Sequence, residues 1–346
     1  MEAKKDRMKK VALVGVGLIG KERLKAIKIL QGLGRDIELT GIYDPYSSET
    51  DKIANDYKTN SCNSLDELFL TKPEWIFIAT PHDVAVDLTS QILKRGFKVL
   101  VEKPLGRSST EAKELINSVS FSKQLWVGFN YRFYTGVASV IKDIKQNLFG
   151  ELISINFILG HGGNPEMGKS WKLDPVRAGG GCLIDPGIHL LDLCLLISDY
   201  NLKIKGGLLW KGFWNKGIEE ECHLLFEAQK FVINCQISIV RWRSTFYMEV
   251  NGTDGYGIVS GRNRSYGKQT YVRGKRWGWL NKEDQKSSEQ LVVETNGEDV
   301  FALEIDALLF DKGQACVKPC TAEEALTNME FLEECLKSIK FLEAKL

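Results

Sequence analysis

The hydrophobic rhythm of the chain changes once. Over the first 150 residues, short apolar runs alternate with amphipathic stretches. The runs predict strands at Lys10–Val14, Glu38–Tyr43, Trp75–Ala79, Lys98–Val101 and Leu125–Gly128. The stretches predict helices at Ile19–Leu30, Ser47–Tyr57, Val84–Lys94, Ser109–Val119 and Val137–Asn147. Near-continuous apolar strands separated by helices are the mark of a parallel sheet covered on both faces. From Leu152 the period shortens to two. Leu152–Leu159, Ile204–Trp210, Cys222–Glu227, Phe231–Val240, Phe246–Val250, Tyr256–Ser260, Thr270–Arg273 and Gln290–Val293 alternate apolar with polar positions, and Asn251-Gly252 and Asp254-Gly255 supply turns. That pattern suits a largely antiparallel sheet. A helix around Asp185 interrupts it, and helices at Val300–Phe310 and Thr321–Phe341 follow. Lys275–Ser288 is the most polar stretch and reads as an exposed loop.

At 346 residues the chain exceeds what one core usually fills, so two domains are expected. With 43% hydrophobic and 26% charged residues it has the composition of a globular protein. A formal charge of +1 offers no general attraction to nucleic acid or to an acidic membrane. Lys4, Lys5, Arg7, Lys9 and Lys10 read as a solvated leader. No apolar run approaches a membrane span and no signal-peptide pattern precedes the first strand, so a cytoplasmic protein is expected. Eight cysteines, none in a C-x-x-C pair, read as reduced thiols. His82, His161, His189 and His223 have no metal-ligand spacing, so no metal is expected.

Chemistry enters at Val11–Gly20, a strand running into Gly15-x-Gly17-x-x-Gly20 with a helix pattern after it. Gly15 permits the tight turn, Gly17 lets a pyrophosphate approach the backbone, and Gly20 lets helix pack on strand; Leu18 and Ile19 complete the loop. Asp44 ends the second strand, where a carboxylate accepts the adenosine ribose hydroxyls and disfavours a 2′-phosphate. No arginine follows directly. NAD is therefore the expected cofactor, with NADP the alternative.

Two further segments carry functional groups. In Lys98–Pro104 a buried strand ends in Glu102-Lys103, and Pro104 forces an extended backbone at Lys103. Ligands bind at the carboxyl ends of parallel strands. In Ala178–Asp192 a triple glycine precedes Asp185 and His189. If Asp185 caps a helix that Pro186 opens, both side chains share one face about one turn apart, and the imidazole can accept a proton from a substrate hydroxyl. Taken alone, the segment is more simply a helix-capping aspartate and an ordinary histidine.

The glycine fingerprint, Ala79-Thr-Pro81, Glu102-Lys-Pro104, Gly128-Phe-Asn-Tyr-Arg132 and Gly179-Gly-Gly…Asp185-x-Gly-x-His189 occur in that order. Together they resemble the Gfo/Idh/MocA oxidoreductases, the family of glucose–fructose oxidoreductase and inositol dehydrogenase. The resemblance implies an α/β fold: a Rossmann dinucleotide-binding domain over residues 1–130, with a mostly parallel sheet, and a C-terminal α/β domain over residues 131–346, with an open, largely antiparallel sheet. The latter would bind substrate and oligomerise, its last helix packing back on the first domain. NAD(P)-dependent redox chemistry on a secondary hydroxyl of a sugar, polyol or sugar nucleotide is implied too. Lys103, Asp185 and His189 are the catalytic residues that the resemblance implies. Glu102 would contact the cofactor, and Thr80 and Pro81 would line its path. Asn130 is a further cofactor candidate; Arg132 would bind substrate or nicotinamide, or form an interdomain salt bridge. Family members commonly show a second histidine shortly after the Thr-Pro pair; this chain has Ala85 there, so His82 reads as a loop residue.

On this reading His189 takes the hydroxyl proton, Lys103 hydrogen-bonds the same oxygen, and Asp185 orients substrate or imidazole. Trp171, Lys172 and Arg177 are candidate substrate contacts, although a core tryptophan and solvated cations account for them equally. Two rival functions stay open: a glycosidase that uses NAD for transient redox chemistry, and a non-catalytic NAD-responsive regulatory protein. The alternating apolar residues Phe231, Ile233, Cys235, Ile237 and Val240 leave a sheet face that needs covering, and relatives dimerise through such a sheet. A homodimer or homotetramer is expected.

Overall fold

The computed structural model describes residues 7–118, 122–277, 289–297, 299–311 and 316–343. The expectations for Lys4 and Lys5, for Val119 and for positions 278–288 of the polar stretch lie outside the described residues. The chain divides into two compact units, one of residues 1–130 with 299–326 and one of residues 131–298 with 327–346.

In the first unit the chain runs β1 (Lys9–Val14), α1 (Leu18–Gly32), β2 (Ile37–Tyr43), α2 (Thr50–Tyr57), β3 (Asn60–Cys62), α3 (Leu65–Leu70), β4 (Trp75–Ile78), α4 (His82–Lys94), β5 (Lys98–Glu102), α5 (Ser109–Ser118) and β6 (Leu125–Gly128). These strands pair in parallel in the order β6-β5-β4-β1-β2-β3. Val11 to Val14 of β1 are fully buried, as a strand covered on both faces must be. The neighbours of β1 are β2 on one side and β4 on the other, so the strand order reverses beside it, and such a switch point opens a crevice at the carboxyl end. Leu24, Ile27 and Leu30 of α1 share one apolar cluster with Ala302, Ile305 and Leu309, which come from a later helix described below.

The second unit begins with α6 (Thr135–Lys145), β7 (Leu152–Gly160), the short α7 (Pro175–Ala178) and α8 (Ile188–Ile197). It continues with β8 (Leu202–Lys211), β9 (Glu221–Ala228), β10 (Phe231–Ser238), β11 (Thr245–Gly252), β12 (Gly255–Ser260), β13 (Gln269–Lys275) and β14 (Glu289–Thr295). After it come α9 (Val300–Leu309), β15 (Cys320–Thr321), α10 (Ala322–Ser338) and β16 (Lys340–Glu343). Helix α9 supplies the cluster against α1, and β15 adds to the first sheet, antiparallel to β6. The second sheet has the order β14-β13-β12-β11-β7-β10-β9-β8-β16. Its pairs are antiparallel except β7 with β10 and β8 with β16.

Two expectations need correcting here. The apolar face of β10 is already covered within the unit: Ile233 and Ile237 are fully buried, the Cys235 sulfur lies 3.5 Å from that of Cys194 on α8, and on neighbouring β9 Phe226 packs against Phe331 of α10. The outward face instead carries Leu225, Val232 and Asn234, so the alternation pointed to the unit's own helices and not to a second subunit. The second correction concerns Pro175–Ile197, which is apolar and long enough to cross a membrane by composition. It is not continuous helix, because Asp185 is extended (φ −146°, ψ 104°), and 78% of its apolar window is buried in the fold.

Candidate active site

The glycine turn of the first unit is built for close approach. Gly15 has φ +93°, and a Cβ there would stand 2.6 Å from the Ala79 carbonyl oxygen; a Cβ on Gly20 would overlap the Gly15 carbonyl. Gly17 is different: a Cβ there would meet only open space, so nothing inside the protein requires glycine. A pyrophosphate resting on the backbone at the start of α1 does require it. Leu18 next to it is 73% exposed and Ile19 half-buried. Asp44 braces the turn, one carboxylate oxygen accepting from the Val16 amide at 2.8 Å and the other from the Tyr46 amide at 2.9 Å. Each oxygen keeps a second lone pair for a ribose hydroxyl. The Thr80 hydroxyl and the Asn130 side-chain carbonyl are buried without hydrogen-bond partners in the structure. They follow β4 and β6, where ligands of open parallel sheets bind. The open space over Gly17 and these two orphaned polar atoms fit a dinucleotide.

Glu102 is tied into the first unit by one carboxylate oxygen. Its carboxylate accepts from Arg23 Nε at 2.7 Å, and Arg23, 1% exposed, is shared with Glu304 of α9 at 2.6 Å. Removing one partner of a buried ion pair leaves an uncompensated charge, so this cluster fixes α1, β5 and α9 together. Glu102 thus anchors the strand end that carries Lys103, which is half-buried and joined to Pro104 by a cis peptide bond. Gly128 belongs to the same arrangement, since a Cβ there would come 2.7 Å from Arg23 Nη2.

In the second unit the triple glycine is held from a distance. The backbone of Glu219 lies so close that a Cβ on Gly181 would overlap its carbonyl. Its buried carboxylate accepts from the Gly181 amide at 2.9 Å and the Leu183 amide at 3.1 Å. Burial pushes the Glu219 carboxyl above its usual range, against the pull of those amides. Beyond this clamp, Asp185 departs from the expected helix cap. It is extended, its peptide to Pro186 is cis, and α8 starts at Ile188, so Asp185 and His189 do not share a helix face. The Asp185 carboxylate pairs with Lys172 Nζ at 2.7 Å. His189, 5% exposed, stacks on Tyr131 with ring centroids 3.9 Å apart and planes 7° from parallel. Tyr131 is wedged edge-on against Tyr134 and Phe246 and lies under the Arg262 guanidinium at 5.0 Å. Its burial drives the phenol well above its usual range, so it is a neutral platform.

Two matches settle what these halves are. Residues 9–129 match the oxidoreductase family with an NAD-binding Rossmann fold, and residues 137–257 match the GFO/IDH/MocA C-terminal domain. The chain belongs to the GFO/IDH/MocA family. It is an NAD(P)-binding member by that assignment. Among curated relatives, 2,7-anhydro-N-acetylneuraminate hydratase of Escherichia coli is 26% identical over 70% of this chain and 65% of its own length. The chain spans about half the length of several other curated relatives it matches. Among solved structures, levoglucosan dehydrogenase with NADH and levoglucosan superposes with a TM-score of 0.80 at 16% identity, covering 96% of this chain and 97% of that one. A 3-ketoreductase of Actinomadura kijaniata with NADP and TDP-benzene gives 0.77 at 14% identity, covering 98% and 100%. These two likenesses concern the fold.

Within this family frame the remaining expected residues are readily placed. Arg132 is 1% exposed and committed to Asp192, with Nε to Oδ2 at 2.7 Å; Asn328 donates to the same carboxylate at 2.9 Å. The expectation of a substrate contact or an interdomain bridge at Arg132 gives way to a buried pair inside the second unit. Lys172 and Arg177 are exposed and Trp171 is half-buried. Pro81 precedes α4 as its N-terminal flank. Sequence reasoning overlooked three groups: Tyr131, Glu219 and Arg262. Tyr131 stood inside a quoted motif without a role. Glu219 and Arg262 carried no local signal, because their partners are far away in the chain.

Proposed function

We propose that this protein transfers a hydride between a nicotinamide dinucleotide, NAD in preference to NADP, and a secondary hydroxyl or ketone of a sugar or cyclic polyol. The observation that carries the reading is His189, a buried imidazole fixed face to face on Tyr131, in a chain of a dinucleotide-binding oxidoreductase family. The cofactor would supply the hydride acceptor; the protein's part is binding, orientation and charge. His189 takes the hydroxyl proton during oxidation. Lys103 donates to that oxygen and stabilises the negative charge that develops on it. Asp185, held by Lys172, orients the substrate beside the imidazole. Gly15, Gly17, Leu18, Ile19, Gly20 and Asp44 hold the pyrophosphate and ribose, and Thr80, Pro81 and Asn130 line the rest of the dinucleotide path.

The cofactor preference rests on Asp44, whose charge opposes a 2′-phosphate. We further propose a homodimer or homotetramer that uses the outward face of the second sheet, where Leu225 and Val232 are 42% and 44% exposed. A monomeric mass by light scattering would refute it. Buried thiols such as Cys62, Cys182, Cys194 and Cys222 suit a cytoplasmic setting.

The decisive experiment is NADH formation over a panel of inositols, neutral hexoses, uronates, sugar phosphates and nucleotide sugars. At least one should be oxidised with a stoichiometric rise in NADH, and that rise should vanish in His189→Ala. A second reading, chemistry with no net redox change, is favoured by the relative named as a hydratase rather than a dehydrogenase. Product formation without NADH accumulation would decide for it.

A further inference from the structure

We infer that Arg262 is an anion-binding group of the substrate site, and that the substrate of the proposed reaction is an acidic sugar or polyol carrying a carboxylate or phosphate. The inference rests on the oxidoreductase reading above and narrows its substrate.

Arg262 follows β12, just past Gly261, whose φ of +74° turns the chain. Its guanidinium lies 3.7 Å over the Tyr266 ring and 5.0 Å from the Tyr131 ring centroid, and Nη1 donates to the Tyr134 hydroxyl at 3.1 Å. Its Nε–H is buried with no acceptor. Among the described residues no carboxylate pairs with it, and the groups packed against it are Tyr131, Tyr134 and Tyr266. Tyrosine rings and a hydroxyl are neutral at ordinary pH and do not cancel a guanidinium charge. Elsewhere the chain neutralises its most deeply buried arginines. Arg23 is matched by Glu102 and Glu304, and Arg132 by Asp192. Arg262 is only partly buried, and its aromatic faces and one hydroxyl attract the cation without cancelling its charge, which leaves it open to an anion.

Its position makes the missing charge a substrate's. The ring that Arg262 lies over is the ring on which His189 stacks, so cation and proton acceptor are separated by one tyrosine. Asp185, the carboxylate that acts on the same Tyr131 ring, is itself paired with Lys172. The planar fork of a guanidinium matches carboxylate and phosphate oxygens in pairs. A hydroxyl at His189 and an anionic group at Arg262 would grip the two ends of one sugar ring. The cofactor's pyrophosphate is provided for by the glycine turn of the first unit, so it is not the ligand proposed here.

Calorimetry on the NAD-loaded protein tests this with matched pairs: D-glucuronate against D-glucose, D-galacturonate against D-galactose, and glucose 6-phosphate against glucose. In the native protein at least one acidic probe should bind about tenfold or more tightly than its neutral partner. Arg262→Met should erase that preference, Arg262→Lys should keep part of it, and NAD affinity should stay unchanged in both. Inorganic phosphate at constant ionic strength should raise the melting temperature of the native protein more than that of Arg262→Met, which also reports whether the variant is folded. Equal binding of acidic and neutral probes by the native protein, or an acid preference that survives Arg262→Met, would overturn the inference. Oxidation of neutral sugars alone would also overturn it while leaving the oxidoreductase reading intact. Arg262-dependent anion binding without NADH formation would instead count against the oxidoreductase reading.

Discussion

The glycine turn before α1 and the triple-glycine segment before α8 are both glycine-rich, and they are held together in opposite ways. The first is specified by neighbours in sequence: Gly15, Gly17 and Gly20 lie within one turn, and its main outside brace, Asp44, ends the next strand. The second is specified by residues far along the chain. Glu219 clamps Gly181 and Leu183 across 38 and 36 positions, and His189 is oriented by Tyr131, 58 positions earlier. A dinucleotide is the same ligand throughout a family, so its loop can be a local cassette. A substrate site has to be assembled from whatever elements the second sheet brings together, which leaves it free to vary.

The largest effect should come from removing one proposed catalytic group from each of the two units that carry these loops. Lys103→Met and His189→Ala should each lower kcat by about 10² to 10⁴, with NAD affinity barely changed, because both groups serve mainly the transition state. The double variant should lose far less than the product of the single effects if the two serve one oxygen. Steady-state kinetics with calorimetric NAD titration checks this. Near-normal turnover in a folded His189→Ala protein would move the base elsewhere.

A pair of alanines separates the two tasks of the local loop. Gly20→Ala drives a methyl into the Gly15 carbonyl and should destabilise the first unit by about 3 kcal/mol in chemical denaturation. Gly17→Ala points into open space and should leave stability unchanged, yet weaken NAD binding about tenfold or more by holding the pyrophosphate off the backbone. If Gly17→Ala binds NAD normally, the pyrophosphate does not rest there.

How far the sequence could be read follows the same division. Strands such as Leu125–Gly128 and helices such as Ser109–Ser118 were legible because periodicity is local. Strand Asn60–Cys62 was missed because three residues show no period. Helix Leu65–Leu70 was missed despite a readable signal: Ser64 accepts from the Glu67 amide while Glu67 accepts from the Asn63 amide, a reciprocal cap written in five residues. Asp185-Pro186 was read as a helix start because aspartate before proline often caps, but the chain is pulled extended there and α8 begins later. Arg132 and Glu102 have side chains of the right chemistry for ligand contact, and nothing in the sequence reveals that Asp192 and Arg23 claim them first.

Cofactor choice should respond more modestly. Asp44→Ala should narrow the preference for NAD over NADP by removing the charge that opposes a 2′-phosphate. Since Asp44 also holds the Val16 and Tyr46 amides, the variant should bind both cofactors somewhat more weakly. Titrating NAD and NADP into native and variant protein tests both parts. A native preference for NADP would sink the assignment.

The smallest effect probes the long-range clamp. Burial raises the Glu219 carboxyl in the folded protein, so the folded state holds that proton more tightly than the unfolded chain. Stability from this group is therefore fully present below the ordinary glutamate range and is lost as pH rises through the raised value. Glu219→Gln keeps the oxygen that accepts from Gly181 and Leu183 but has no proton to lose. The variant should thus gain on the native protein as pH rises above the ordinary glutamate range, read as a growing difference between their denaturation midpoints. The clamp itself should survive, leaving kcat near native. Glu219→Ala removes the acceptor, leaves two buried amides without a partner, and should cost both stability and turnover. An Ala variant with native turnover would show that the triple glycine holds Asp185 in place without help. The second loop would then be as local as the first.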